Sequence, residues 1–285
     1  MAKHTPTKQQ TKQKASEAKD ESKPWIRRLG RFGYMSQGFV YILIGVLAFM
    51  TAMGVGGDTE DTNGALQTLA SMPFGEVVLW LVGIGLMGYV VWMFIRASVD
   101  TGHFGKGIKG VFVRAGFVGS ALIYASLAFN AFSFATHSGG SGGNDEETYS
   151  QILLSQPFGQ WIIGAIGIGI IVYALYEGYK AISGLFLKEF KKAEMNKHEW
   201  NLTRTIGRMG LVSRAIVFAL IGVFLIQTAL NADADDTQGM DGALYELSQQ
   251  PYGQWLLGVV AIGLILFGVY GYFYGRYVHM NFGRK

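Results

Sequence analysis

The sequence predicts an all-α integral membrane protein: six transmembrane helices built as three parallel helical-hairpin repeats around a pseudo-threefold axis. Three observations predict it. Half of the 285 residues are apolar, and they gather into six runs without a charge: 34–53, 77–95, 115–136, 161–176, 215–230 and 255–275. Most match the roughly 20 residues that cross a bilayer core, and buried helices of soluble proteins rarely stay uncharged for so long. A Pro-aromatic-Gly corner recurs as Pro73-Phe74-Gly75, Pro157-Phe158-Gly159 and Pro251-Tyr252-Gly253, using three of the 5 prolines. Every Lys and Arg except Arg214 lies in the tails, in the two connectors between repeats, or where these meet the helices.

Taken in order, residues 1–24 are rich in Lys, Gln, Thr, Ser and Glu and are expected to form a disordered tail, because they bury too little apolar surface to offset ordering. No cleavage pattern closes the first apolar run, which is expected to stay as a signal anchor. Repeat 1 covers 25–100, repeat 2 covers 101–183 and repeat 3 covers 208–276; a basic connector spans 184–207 and a short tail 277–285. Each repeat opens on Arg-x-Gly: Arg31 and Gly33, Arg114 and Gly116, Arg208 and Gly210. An aromatic stands ten residues after each Arg, at Tyr41, Tyr124 and Phe218. Each first helix runs into a polar loop and a short Leu-bearing segment that suits a two-turn helix at the membrane interface. The second helix carries Gly85, Gly169 or Gly263 ten residues after the corner glycine, then Tyr89, Tyr173 or Phe267. One supersecondary unit is therefore used three times. An even number of spans per unit makes the copies parallel.

Orientation follows from charge. Basic residues mark the cytoplasmic side, so both termini and both connectors are expected there, with the three base-free hairpin loops outside. Phe186, Leu187 and Phe190, interleaved with Lys188, Lys191 and Lys192, read as a juxtamembrane amphipathic helix.

At this level of detail the chain resembles a known family. Gln160-Trp161-Ile162-Ile163-Gly164 and Gln254-Trp255-Leu256-Leu257-Gly258 follow their corners, each paired with an upstream Arg-x-Gly, while the first copy departs with Glu76-Val77-Val78-Leu79-Trp80. This tandem pattern, from Arg31 to Tyr277, is similar to the bacterial domain of unknown function 1206. The resemblance implies three two-helix repeats in a bacterial inner or plasma membrane and brings no activity with it.

Few side chains suggest chemistry. Absence of cysteine removes thiol catalysis, disulfides and cysteine metal sites. The five histidines are scattered, and no nucleophile elbow, P-loop or zinc motif occurs. Gly83-Ile84-Gly85-Leu86-Met87-Gly88 fits a dinucleotide pattern but lies inside an apolar run rather than after a strand. Neither an enzyme nor a cofactor is expected, nor a nucleic-acid partner. The acidic loop clusters Asp58, Glu60 and Asp61, then Glu146 and Glu147, then Asp233, Asp235 and Asp236, are candidates for an outer-face cation site. Their simpler reading is capping of the short helices that follow. Glu177 is the one acid embedded at the end of an apolar helix, and Lys180 offers an i, i+3 partner at the interface. Anionic lipids are the expected partners of the basic face. Two functions stay open: a membrane scaffold or stress-adaptation protein binding lipid or other proteins, and a transporter or channel along the axis. A wet cavity lined by Tyr41, Tyr89, Tyr124 and Tyr173 favours transport; a dry aromatic column favours the scaffold.

Overall fold

The computed structural model describes residues 8–54, 62–98, 107–138, 145–233, 237 and 239–279. Among the described residues, six helices are long and apolar enough to cross a membrane. Repeat 1 consists of α1 (Lys8–Ala52), the short α2 (Thr62–Ala70) and α3 (Gly75–Ser98). Repeat 2 consists of α4 (Ile108–Ala135), α5 (Asp145–Leu154) and α6 (Gly159–Ser183), and repeat 3 of α7 (Lys197–Asn231), α8 (Met240–Gln249) and α9 (Gly253–Tyr277). Among the described residues, the only β-type pairing is an isolated bridge between Phe190 and Val278. The helix of α1 reaches back to Lys8, through residues whose composition predicts disorder. Lys, Gln, Ala and Glu are good helix formers, so the helix of the apolar run continues through them in spite of the backbone donor missing at Pro24.

The corners are turns before they are helices. Gly75 N–H donates to Met72 O at 2.9 Å, Gly159 to Gln156 at 3.0 Å and Gly253 to Gln250 at 2.7 Å. Proline at the second turn position and a positive φ at the third give the pattern of a type II turn. That third residue is Phe74, Phe158 or Tyr252, with φ of 63°, 68° and 62°. Proline therefore precedes an aromatic N-cap instead of opening the helix. Glycine follows because a Cβ there would lie 1.9 Å from the carbonyl of Leu69, Leu153 or Ser248. The aromatics pointing out of these corners are more than three-quarters exposed, as suits side chains at a headgroup layer.

Helix pairing is most extensive between repeats: α1 on α9, α6 on α7, and α3 on α4. Within repeats, α1 packs on α3 and α7 on α9, but α4 and α6 scarcely touch. The order round the bundle is α4–α3–α1–α9–α7–α6, a ring open on one flank. Small residues set the closest approaches, where dispersion holds helices together in lipid. A Cβ on Gly38 of α1 would meet the carbonyl oxygen of Gly268 of α9 at 2.4 Å, and one on Gly222 of α7 would meet that of Gly167 of α6 at 2.9 Å. The core holds the fully buried Ile44, Leu66, Leu79, Leu86, Leu244 and Leu264, so two of the short helices drive leucines inward as their spacing predicts.

The connector differs from the expected amphipathic helix. Gly184 takes a left-handed φ of 73° and ends α6, and two single 3-10 turns follow, Leu185–Glu189 and Lys192–Glu194. Phe186 is fully buried and Phe190 nearly so. Their rings lie 5.7 and 5.6 Å from that of Tyr270, so burial of both phenylalanines against α9 wins over a surface helix. Asn196 then starts α7 with a capping box shared with Glu199.

Candidate functional site

Tyrosines fill the middle of the bundle. Tyr34 meets Tyr89 edge to face at 5.1 Å and Tyr274 at 4.7 Å. Tyr89 meets Tyr124 at 4.7 Å, and Tyr41 meets Phe267 at 4.7 Å. Such edge-on pairs are the preferred aromatic geometry and add to the area they bury. Their hydroxyls are used as well: Gln37 of α1 donates to Tyr124 of α4, and Arg96 of α3 donates to Tyr34 at 3.2 Å. Of the four tyrosines expected on the axis, Tyr41 and Tyr89 are buried and Tyr124 is half-buried. Tyr173 is 42% exposed, because the helix it would face, α4, stands apart.

Among the described residues, one ion pair lies inside the bundle. Arg214 of α7 donates to Glu177 Oε1 of α6 at 3.2 Å, and the Tyr173 hydroxyl donates to the same oxygen at 2.8 Å. Both charged side chains are largely buried, and the guanidinium also lies over the rings of Phe218 and Phe267, each 4.7 Å from its centre. Cation–π contact of this kind strengthens when water is excluded. Glu177 Oε2 and Arg214 Nε are buried without hydrogen-bond partners. The expected pairing of Glu177 with Lys180 is thus corrected: Lys180 binds Glu189 at 2.6 Å instead. A partner 37 positions away displaced one at i+3 because α6 and α7 pack face to face. The signal was available, since Glu177 and Arg214 were the exceptions in an otherwise consistent charge pattern.

A second polar group ties the connector to the end of α9. Glu189 accepts from Lys180 and from the Tyr274 hydroxyl. Lys191 N–H donates to Tyr277 O and His279 N–H to Glu189 O, both at 2.9 Å, while the Tyr277 hydroxyl donates to Glu199 at 2.8 Å. Burial pushes the Glu189 carboxyl up, but the Lys180 ammonium and the two side-chain hydrogen bonds outweigh it and hold the group below the usual carboxylate range.

The outer acidic clusters lie largely outside the described residues. Asp58, Glu60, Asp61, Asp235 and Asp236 lie outside the described residues; Glu146 and Glu147 open α5, and Asp233 follows the C-cap of α7, exposed. Among the described residues no three His, Cys, Asp or Glu could share a metal ion. Arg31 and Gly33 sit in α1, Arg114 and Gly116 in α4, Arg208 and Gly210 in α7, at equivalent places in the three repeats.

A triplicated six-helix bundle of membrane length, with an aromatic interior and one internal ion pair, is the class of protein these features define. The model of the Domain of Unknown Function (DUF1206) family matches it three times, at residues 32–100, 115–184 and 209–278, and the chain belongs to that family. It is 49% identical over 266 residues to the uncharacterized protein YxxB of Bacillus subtilis (strain 168), a match covering 93% of this chain and 96% of that one. No solved structure matches it.

Proposed function

We propose that this chain is a multi-pass protein of the bacterial plasma membrane that performs no catalysis and serves as a scaffold or stress-adaptation protein, binding lipid or partner proteins. The observation that carries this reading is the aromatic column. Tyr34 packs on Tyr89 at 5.1 Å and Tyr89 on Tyr124 at 4.7 Å, while Tyr41 packs on Phe267 at 4.7 Å, and these contacts support an axis filled by rings over a wet one. Both termini and both connectors face the cytoplasm in this reading, which the distribution of Lys and Arg supports. Anionic lipids bind the connector side, and a membrane-embedded partner has most room on the flank where α4 and α6 stand apart.

Transport of a small solute or cation is the second reading, and the Glu177–Arg214 pair favours it, since intramembrane charges often mark a pathway. Ion flux into liposomes carrying the full chain decides between the two. The scaffold reading expects no sodium, potassium or calcium flux above that of empty liposomes. A flux abolished by Glu177→Gln, or by neutralising the acidic loops, establishes transport instead.

A further inference from the structure

We propose that α7 carries a binding site for the phosphate of an anionic lipid headgroup, formed by Asn201, Arg204, Thr205 and Arg208. The proposal rests on the anionic-lipid reading above and gives it a place. These four residues and Met209 line an open surface hollow with about 380 Å³ of space. Positions i, i+3, i+4 and i+7 share one helix face, so the donors point the same way.

The lining is chemically one-sided. Two guanidiniums, an amide and a hydroxyl offer many donors, the cavity contains no carboxylate, and phosphate oxygens only accept. Neighbouring carboxylates are already engaged: Glu199 accepts from Asn196 N–H at 3.0 Å and from Tyr277, and Glu189 is held by Lys180. Arg208 Nε is buried with no hydrogen-bond partner, as is Arg31 Nε at the equivalent place in repeat 1, so the guanidinium nitrogens of Arg204 and Arg208 are the donors offered to a ligand.

Depth and flanks favour a lipid over a soluble phosphate. Arg204 and Arg208, about 6 Å apart along the helix axis, stand just before the apolar stretch that opens at Met209 and is broken only by Arg214, which turns inward to Glu177. That is the level at which headgroup phosphates meet basic side chains. Leu202 and Met209 form a parallel exposed stripe beside the donors, at 39% and 50% exposure. A glycerol and its first acyl carbons have a use for such a stripe, and inorganic phosphate has none. The cavity is near the small end of ligand sites, large enough for a headgroup with the acyl chains left outside.

The test uses the full chain, delipidated in detergent and titrated with phosphatidylglycerol, phosphatidylcholine or inorganic phosphate, with the thermal midpoint as readout. Wild type is expected to be stabilised by phosphatidylglycerol at concentrations where phosphatidylcholine and inorganic phosphate have little effect. Arg204→Gln with Arg208→Gln is expected to weaken that response by roughly tenfold or more, from two lost contacts near the surface. Asn201→Leu with Thr205→Val keeps the charge, guards against misfolding of the arginine variant, and is expected to weaken the response by roughly threefold. Lys188→Gln with Lys197→Gln removes equal charge elsewhere and is expected to leave it in place. If wild type does not prefer phosphatidylglycerol, the anionic-lipid reading itself fails. If the preference exists but survives both cavity variants, or falls equally in the lysine control, only this site is overturned. Stabilisation by inorganic phosphate as strong as by phosphatidylglycerol overturns the lipid as its source.

Discussion

In repeats 1 and 3 the two long helices meet along equivalent residues, whereas in repeat 2 the same positions face empty space. A Cβ on Gly33 would lie 2.5 Å from Tyr89 N, and one on Gly210 would lie 2.5 Å from the backbone of Phe267. One turn deeper, Gly85 receives Ser36 and Gly263 receives Ser213, their oxygens 1.8 and 1.7 Å from where a Cβ would stand. Gly116, Gly119 and Gly169 are the counterparts in repeat 2, and none has a neighbour within 4 Å. The difference teaches that the sequence repeat is not the unit of packing. Contacts between repeats are made three times out of three, while the contact within a repeat is dispensable in one.

Substitution at these glycines breaks the comparison most sharply. Gly33→Leu and Gly210→Leu drive a side chain into backbone that cannot give way, and a loss beyond about 4 kcal/mol, seen as failure to purify as a single folded species, is expected. Gly116→Leu meets open space and is expected to shift the thermal midpoint by no more than a degree or two. Equal damage at all three positions would mean that repeat 2 is closed like the others.

The ion pair beside the open flank sharpens the contrast. Glu177→Leu strands the Arg214 guanidinium in the bundle and is expected to cost about 3 kcal/mol. Glu177→Leu combined with Arg214→Met replaces both charges by apolar bulk and is expected to recover most of that loss. Denaturant titration of the two variants against wild type checks both values. No recovery in the double variant would show that the pair does more than satisfy itself.

The connector gives the smallest effect. Glu189 is held below its unfolded value of about 4.3, so its contribution is complete above that pH and is lost as pH falls through the lower folded value. As pH falls through that lower folded value, the Lys191 and His279 N–H groups are expected to exchange hydrogen faster. In Glu189→Gln this acid sensitivity should vanish. Hydrogen exchange across residues 185–195 and 274–279 measures it.

Much of this architecture was legible from local pattern. Apolar run length gave the six long helices, Leu spacing gave α2, α5 and α8, and the triplicated corner gave the repeat boundaries. What escaped was set by packing between distant segments. Nothing local to Glu177 names Arg214 over Lys180, and the alternation of Phe and Lys in the connector is equally consistent with a surface helix until Tyr270 and Tyr274 supply rings for Phe186 and Phe190 to rest on. Gly184 was the readable warning that the helix stops there. The open flank had a fainter trace: repeat 2 carries Gly119 where Ser36 and Ser213 supply the contact.

The central claim, a ring closed at repeats 1 and 3 and open at repeat 2, is tested most directly by distances between paired spin labels. The chain has no cysteine, so labels at introduced cysteines report alone. Labels at Leu122 and Ile168 read the separation of α4 and α6, and labels at the equivalent Phe39 and Ile84 read that of α1 and α3. In lipid bilayers the first pair is predicted to be clearly farther apart than the second. Matching distance distributions for the two pairs would contradict the account.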